Sequence, residues 1–191
     1  MSASEAIFST VKEIIQTALI SLAIFFFVYI FLVQPHRVKG DSMMPNFLDG
    51  ELLLTEKISY RFGKPERGDV IVFRAPGKSV DFIKRVIGLP GESVRIQDGI
   101  VYINGTKITE PYETQTTSGN ETITVPDNQY FVLGDNRGAS SDSRSFGTIG
   151  ESSLKGKVWL VYWPFVKSVK SNGLRSVSGV NYRVTNTLDD L

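Results

Sequence analysis

Residues 93–109 read S-V-R-I-Q-D-G-I-V-Y-I-N-G-T-K-I-T, and this stretch decides the fold class. It contains two short runs rich in β-branched residues, at 93–96 and 100–103, and two turn dipeptides, Asp98-Gly99 and Asn104-Gly105. Asp-Gly and Asn-Gly readily adopt the two positive φ angles that a two-residue hairpin turn requires. The stretch therefore predicts a three-stranded antiparallel meander.

Similar runs recur on both sides of the meander, and Gly, Pro, Asp or Asn bounds each of them, as is typical of strands. No long amphipathic helix is evident after Val33. The pattern predicts a mainly β protein, with an all-β domain of packed antiparallel sheets or a partly open barrel. The further predicted strands are L-L-L-T at 52–55, V-I-V-F at 70–73, Q-Y-F-V-L at 129–133 and K-V-W-L-V-Y-W at 157–163.

This β domain is expected to occupy residues 34–170. About 89–125 is interpreted as a small hairpin and loop sub-region within it, and the Thr-rich stretch 109–124 as a mobile loop. The polar residues 171–191 are expected to form a loosely ordered tail, because chain ends without apolar anchors are poorly ordered.

The N-terminal part is of a different kind. After a short segment at 1–13, residues 14–33 form an apolar run of 20 residues without a charge. A helix of about 20 residues spans the roughly 30 Å hydrocarbon core of a bilayer. The apolar region of a cleaved signal peptide is shorter and ends in small residues, and a small protein seldom buries a helix that is apolar on every face. We predict a permanent single-pass membrane anchor in contact with lipid.

Charge counting alone leaves the orientation of this anchor open. Lys12 is the only Lys or Arg before the run, whereas Arg37 and Lys39 follow it closely. Because positive residues favour the cytoplasmic side, the count places the β domain in the cytoplasm by a margin of one residue. The N-terminal amine narrows that margin further.

Composition restricts the chemistry. The chain has 191 residues and a net charge of +1, which argues against a nucleic-acid partner because such proteins usually carry a concentrated basic excess. It has no cysteine and one histidine, His36, so thiol catalysis and multi-histidine metal sites are excluded and no metal or cofactor is expected. We interpret His36, which follows the apolar run, as an interfacial cation rather than a metal ligand or base.

Ser, Thr, Lys, Tyr and carboxylates remain as candidate catalytic groups, and three stretches carry them. In K-G-D-S-M-M-P-N-F-L-D-G at 39–50, Ser42 follows a glycine that lets the backbone approach a substrate closely. Taken alone, Ser42 is more simply a turn serine.

The second stretch is D-F-I-K-R-V-I-G-L-P-G-E at 81–92. Lys84 alternates with Phe82 and Val86 in a predicted strand, so its side chain faces the same side of the strand as theirs. Burial there would lower the pKa of Lys84 and allow it to accept a proton, although a strand lysine more often reaches solvent.

The third stretch is G-D-N-R-G-A-S-S-D-S-R-S-F-G at 134–147, which reads as a surface loop. Its regular alternation of Asp and Arg indicates more than a flexible spacer. Carboxylates and guanidinium groups form bidentate pairs that fix geometry. The candidates for such pairs beside the lysine are Asp135, Asp142, Arg144 and Arg85.

Together these stretches resemble the sequence boxes of the type I signal peptidases, the bacterial-type membrane-bound Ser-Lys endopeptidases that remove signal peptides. The resemblance covers most of the chain and keeps the family's order. It comprises the N-terminal anchor, G-D-S-M-M-P at 40–45, R-G-D-V-I-V-F at 67–73, F-I-K-R-V-I-G-L-P-G at 82–91 and the stretch 134–147.

By motif position, the resemblance implies that Ser42 is the nucleophile, Lys84 the general base, and Ser140 the serine that hydrogen-bonds the lysine amine. It implies that Asp142 and Arg144 are a supporting ion pair. Further supporting positions are Asp135 and Arg85, and residues that shape the turn and the substrate groove are Met43 and Pro45.

One position departs from the family pattern. Many members carry, two residues before the nucleophile, a serine whose hydroxyl helps to form the oxyanion hole, and this chain has Gly40 there. The Ser42 amide can still donate, and we expect the Gly40 amide to contribute as well. In other enzymes, loss of one oxyanion donor costs about 2.7–4 kcal/mol of transition-state stabilisation. The glycine therefore changes how the oxyanion hole is built and does not argue against activity.

The resemblance implies cleavage of exported preproteins after small-x-small sites such as Ala-x-Ala. It also implies a bacterial-type plasma membrane with the β domain on the extracytoplasmic side. Two other interpretations stay open: a self-cleaving Ser-Lys repressor protease and a membrane-tethered, non-catalytic β scaffold that binds exported chains. The first normally has a DNA-binding module and no membrane helix, and the second has no need of Ser42, Lys84 and Ser140 together.

Overall fold

The architecture comes from a computed structural model, which describes residues 3–112, 115–168 and 171–177. One long N-terminal helix precedes a β domain, which confirms the predicted fold class. Helix α1 (Ala3–Phe31) is long and apolar enough over Ile7–Tyr29 to cross a membrane. At 1.5 Å per residue, these 23 residues extend about 35 Å.

The helix differs from the predicted segment 14–33 at both ends. It begins at Ala3, eleven residues before the predicted start, and so includes the charged Lys12. The prediction marked only the uncharged part of the helix. It ends at Phe31, and Val33 already belongs to the first strand. Pro35 explains this end, since the residues before a proline favour extended backbone.

After α1, strands are the main regular structure of the described residues, and two short α-helices lie between them: α2 (Ser59–Phe62) and α3 (Ser143–Phe146). The strands are β1 (Val33–Arg37), β2 (Leu52–Glu56), β3 (Val70–Arg74), β4 (Asp81–Gly88), β5 (Ser93–Gln97), β6 (Ile100–Ile103), β7 (Thr106–Lys107), β8 (Glu121–Thr124), β9 (Gln129–Leu133), β10 (Ile149–Gly150), β11 (Leu154–Trp163), β12 (Lys167–Ser168), β13 (Ser171–Asn172) and β14 (Arg175–Ser176).

The main sheet has the order β1-β2-β11-β3-β4-β9-β10, and β14 also pairs with β11. All its pairs are antiparallel. Both faces of this sheet are covered. On β3, Val70 and Val72 contribute to one core cluster, whereas Ile71 and Phe73 contribute to the cluster on the opposite face. The alternation explains why V-I-V-F is apolar at every position.

A second sheet, of order β7-β6-β5-β8, contains the predicted meander. Asp98, Gly99, Asn104 and Gly105 all have positive φ, as the hairpin turns require. A third core cluster joins this sheet to the main one through residues such as Val94, Ile103, Phe131 and Leu133.

The expectation of a mobile loop at 109–124 is contradicted at its C-terminal end and at two buried positions. Its last residues form β8, which pairs with β5. Tyr112 and Thr117 are buried, and the Thr117 amide donates to the Gly99 carbonyl at 3.0 Å. A threonine-rich sequence resembles a loop when its pairing partner is unknown, and here β5 supplies the partner. Residues 113 and 114 lie outside the described part of the chain.

The expected loose tail also differs in its first part, because Arg175 and Ser176 form β14 against β11. The rest of that expectation, residues 178–191, lies outside the described residues. The bounds of β5, β6 and β9 agree with the predicted strands to within one residue.

Candidate active site

Ser42 lies in the connection between β1 and β2, residues 38–51, which we call the Ser42 loop. Backbone hydrogen bonds close it at its base, from the Val38 amide to the Glu51 carbonyl at 2.8 Å and from Gly50 to Val38 at 3.0 Å. The side chain of Met43 is fully buried in the core cluster between this loop and the main sheet. The loop is therefore anchored on both sides of Ser42.

Lys84 lies in the middle of β4, opposite Ile71 of β3. Its side chain is only 3% exposed. The Lys84 Nζ atom donates to Ser42 Oγ at 2.7 Å and to the Ile83 carbonyl at 2.8 Å. It also lies 5.3 Å from the ring centroid of Phe82, which the strand alternation placed on the same face.

This environment changes the acidity of the lysine. Burial lowers the pKa of Lys84 from its ordinary 10.5 to about 8, and the negative charges of Asp142 and Asp135 act in the opposite direction. Desolvation disfavours the charged ammonium, whereas nearby carboxylates favour it. Near pH 8, therefore, a large fraction of Lys84 is neutral while its amine lies in hydrogen-bond contact with a serine hydroxyl.

Two ion pairs with buried carboxylates fix the position and the shape of the loop 134–147 beside this contact. Asp135 accepts from Arg85 Nε at 2.8 Å and from Arg85 Nη2 at 2.6 Å. Asp142 accepts from Arg144 Nε and Nη2, both at 2.8 Å, and its side chain also caps α3. Each pair is bidentate, the geometry that restricts orientation most strongly.

Ser140 differs from the expectation. The family resemblance implies a hydrogen bond between Ser140 and the Lys84 amine, but in this structure Ser140 Oγ is buried and has no hydrogen-bond partner. The amine instead donates to Ser42 and to the Ile83 carbonyl. Ser140 Oγ packs over the Cα of Gly134, where an added Cβ would lie 2.2 Å from it.

The predicted oxyanion contribution of Gly40 is not available here, because its amide donates to Asp49 Oδ1 at 2.8 Å. Gly40 serves the turn instead, with a φ of +80° that favours glycine. In the part of the chain that the structure describes, the Ser42 amide makes no hydrogen bond. An amide adjacent to the nucleophile is the usual kind of oxyanion donor.

The substrate-groove assignment also changes. A cleft of about 360 Å³ opens beside Ser42 and Lys84, and neither Met43 nor Pro45 lines it. Met43 lies in the core and Pro45 is exposed on the turn. A larger cavity of about 780 Å³ elsewhere contacts neither Ser42 nor Lys84. The apolar residues of the cleft are Val38, Leu53, Val72, Val80, Phe82 and Ile83.

His36 lies in β1 and borders the same cleft. Burial lowers the pKa of His36 below its ordinary 6.5, against the raising effect of Asp81, and Lys57 lowers it further. His36 is thus partly buried at the cleft, and its lowered pKa disfavours the charged form. The interpretation of His36 as an interfacial cation stays a prediction.

Two asparagines escaped the sequence interpretation. Asn136 connects the two loops, because its amide donates to the Ser42 carbonyl at 3.0 Å and its side chain to the Asp41 carbonyl at 3.0 Å. Asn46 Nδ2 donates to Asp135 Oδ2 at 3.0 Å. The only signal was the position of each in a turn near a reactive residue, and asparagine is common in turns.

A third buried ion pair was also missed. Arg137, 2% exposed, pairs with Glu110 through Nη2 and Oε1 at 2.5 Å and also donates to Thr117. It ties the loop 134–147 to the connection between β7 and β8. Among the residues that the structure describes, no group of three or more His, Cys, Asp or Glu side chains could hold a metal ion.

Comparison with known proteins identifies the family of this chain. The family model described as signal peptidase, peptidase S26, matches residues 11–163. Signal peptidase IB of Staphylococcus aureus (strain COL) is 36% identical over 176 residues, covering 81% of this chain and 92% of the relative. Signal peptidase I of Bacillus licheniformis is 37% identical over 172 residues, covering 84% and 90%.

A crystal structure of a signal peptidase I from Enterococcus faecalis V583 is 38% identical, with a TM-score of 0.46, and covers 49% of this chain and 96% of that chain. Two findings decide the assignment. The family model matches most of the chain, and the chain covers nearly the whole length of relatives that are more than one-third identical to it. The chain belongs to the signal peptidase family, peptidase S26, and is a type I signal peptidase.

Proposed function

We propose that this signal peptidase cuts preproteins with Ser42 as nucleophile and Lys84 as general base, and that it cuts after small-x-small sites. The contact of 2.7 Å between Ser42 Oγ and Lys84 Nζ carries the proposal, because the lysine is buried and its pKa is lowered to about 8. A neutral amine at hydrogen-bond distance is able to accept the serine proton.

The chemical steps use only these groups and water. Ser42 Oγ attacks the scissile carbonyl while Lys84 Nζ takes its proton, and the negative charge on the substrate oxygen is stabilised by the Ser42 amide. The C–N bond then breaks as Lys84 returns the proton to the leaving amine. A water molecule then attacks the acyl-enzyme while Lys84 takes its proton. Lys84 passes that proton to Ser42 Oγ as the ester bond breaks and the new carboxyl terminus is released.

Ser140 is assigned the supporting role that the family resemblance implies. Ser140 Oγ is buried without a partner among the described residues, and such a hydroxyl costs free energy. When Ser42 is acylated and no longer binds the Lys84 amine, Ser140 Oγ accepts a hydrogen bond from that amine in this proposal. The ion pairs Asp135–Arg85 and Asp142–Arg144 hold the strand and the loop in register around the lysine.

The shape of the cleft supports the specificity. Branched aliphatic side chains, among them Val38, Leu53 and Ile83, line it close to Ser42. Such walls leave room for small residues and offer apolar contact, which suits alanine one and three positions before the cut. The substrate backbone is extended in this proposal, so that alternate side chains point into the cleft.

The location follows from the substrates. Signal peptides are cut where exported chains emerge, so we place the β domain outside the cytoplasm, anchored by α1 in a bacterial-type plasma membrane. This choice rests on the family assignment and outweighs the one-residue charge margin.

The test is cleavage of a purified preprotein bearing an Ala-x-Ala site, in detergent. We expect wild type to cut after the second alanine, and Ser42→Ala and Lys84→Ala to lose at least about 10³-fold in rate, as enzymes do without a nucleophile or its base. Lys107→Ala, which removes an exposed strand lysine, is the control and should keep wild-type activity. Cleavage by Ser42→Ala would place the nucleophile elsewhere, and no cleavage by wild type would favour the tethered scaffold.

A further inference from the structure

The segment 171–177 lies against the Ser42 loop instead of extending as a tail. Arg175 of β14 is opposite Val161 of β11, and the Val177 amide donates to the Trp159 carbonyl at 2.8 Å. The side chain of Val177 packs against the core cluster that contains Met43 and Phe47. This strand is thus attached both to the main sheet and to the core beneath the nucleophile.

Arg175 contacts the Ser42 loop at three points. Its Nη1 and Nη2 atoms bind the two carboxylate oxygens of Glu51 at 2.9 and 2.8 Å, and Glu51 is fully buried. Nη2 also donates to the Asn46 carbonyl at 2.5 Å. The guanidinium carbon lies 5.3 Å from the ring centroid of Phe47. One side chain therefore holds the whole second half of the loop.

These contacts lead to the reacting atoms from two directions. Asn46, whose carbonyl binds Arg175, donates from its side chain to Asp135, which in turn binds the neighbour of Lys84. On the other side, the amide of Phe47 donates to the Met43 carbonyl at 2.9 Å, and Met43 follows Ser42 directly. Arg175 is thus two contacts from Met43, the chain neighbour of Ser42, and three contacts from Arg85, the chain neighbour of Lys84.

We propose that Arg175 is a positioning residue for peptide cleavage, and that the strand β14 uses it to hold the Ser42 loop where Ser42 Oγ reaches Lys84 Nζ. The inference rests on the proposed function, because it treats Ser42 and Lys84 as the reacting pair. A bidentate guanidinium–carboxylate pair fixes both distance and angle. A misplacement of about 1 Å at a reacting group can lower a rate by about 10²-fold.

A purely stabilising role needs to be distinguished, and the chain offers a matched ion pair for this purpose. Lys157 Nζ binds Asp69 Oδ1 at 2.7 Å, with side-chain exposures of 26% and 3%, against 24% and 0% for Arg175 and Glu51. Lys157 lies on β11, the strand that β14 pairs with. The other partners described for Asp69 are outside the Ser42 loop: Tyr60, Glu66 and the Val86 amide.

The experiment compares the full-length wild type with Arg175→Met, Arg175→Lys and Lys157→Met in detergent, using the Ala-x-Ala preprotein. We expect Arg175→Met to lower kcat by about 10- to 100-fold and to change KM by less than about threefold. Arg175→Lys should lose less, because an ammonium keeps the charge for Glu51 but lacks the fork that also reaches Asn46. Lys157→Met should lose thermal stability and keep its kcat.

Hydrogen exchange of the amides of residues 38–51 is the second readout, and it does not depend on the reaction. Exchange should become faster in Arg175→Met and stay unchanged in Lys157→Met. The proposal is overturned if Arg175→Met keeps wild-type kcat and exchange, or if Lys157→Met loses kcat to the same extent.

A further variant covers the case in which Arg175→Met does not fold because Glu51 is left buried and uncompensated. Arg175→Met combined with Glu51→Gln removes that charge, and we expect it to fold with kcat still lowered. Wild-type kcat in this variant would overturn the proposal. If wild type fails to cut, or Ser42→Ala cuts, the proposed function fails instead, and the exchange of residues 38–51 still tests whether Arg175 holds the loop.

Discussion

Lys84 shows how one side chain acquires its chemistry from its surroundings. A lysine in water is protonated at pH 8, but this one is 3% exposed and its amine faces a serine hydroxyl and a backbone carbonyl, both neutral. The carboxylates of Asp142 and Asp135 are already bound to arginines, so they compensate its charge only in part. The free base is thereby accessible near neutral pH.

The pH dependence of cleavage follows from this balance. Because the neutral amine is the active form and the pKa of Lys84 is about 8, kcat/KM should rise with pH and level off above about pH 8. Below that pH, it should fall about tenfold for each pH unit. Initial rates between pH 6 and 9 on the Ala-x-Ala preprotein measure this, with circular dichroism as a check that the fold persists. A flat profile would exclude Lys84 as the base.

At the scale of elements, the site is a junction between three of them. The Ser42 loop, the strand β4 and the loop 134–147 come from distant parts of the chain. The two loops pack closely against each other at Gly134, which directly follows β9. A Cβ at this glycine would lie 2.2 Å from Ser140 Oγ and 2.5 Å from the Ser42 carbonyl oxygen. Only the absence of a side chain allows the two loops to approach so closely.

Gly134→Ala is therefore expected to push the Ser42 loop away from Lys84. Overpacking of this kind costs about 1–3 kcal/mol of stability, and the displacement should lower kcat by about 100-fold or more. Thermal denaturation and the preprotein assay measure the two effects. Gly150→Ala is the control, because the nearest atom to its Cβ would be 3.7 Å away, and it should retain both properties. Wild-type kcat in Gly134→Ala would mean that the junction tolerates movement.

At the scale of the whole molecule, the apolar helix and the β domain are in direct contact. The Lys57 amide donates to the Leu32 carbonyl at 2.9 Å, and the Arg61 guanidinium lies 5.6 Å from the ring centroid of Phe31. The strand β1, which borders the cleft through His36, starts two residues after the helix ends. With α1 in the membrane, as we propose, this arrangement would keep the proposed site near the membrane surface.

The orientation across the membrane is testable on the intact protein. In sealed inverted vesicles, added protease should leave the β domain intact, because we place it in the lumen that corresponds to the extracytoplasmic side. In right-side-out vesicles, or after detergent is added to inverted ones, the same protease should degrade it. Digestion in sealed inverted vesicles would place the domain in the cytoplasm, as the charge count suggested.

The sequence by itself determined the features that depend on neighbouring residues. The β class followed from alternating apolar runs and from the turn dipeptides at 98–99 and 104–105, and the candidate membrane helix from the length of an uncharged run. Family membership followed from the order of the boxes, which also named Ser42 and Lys84 as candidates. All of these signals are local in the chain, so they can be read without knowing what packs against them.

Only the tertiary structure decided which distant groups meet. Lys84 and Ser42 are 42 residues apart and Arg175 and Glu51 are 124 apart, and no local pattern specifies such pairs. The same reason explains the errors: residues 121–124 and the segment 171–177 resemble loops until β5 and β11 supply their hydrogen bonds. Burial and partner choice are properties of the packed domain, and they set the pKa of Lys84 and the position of the Ser42 loop.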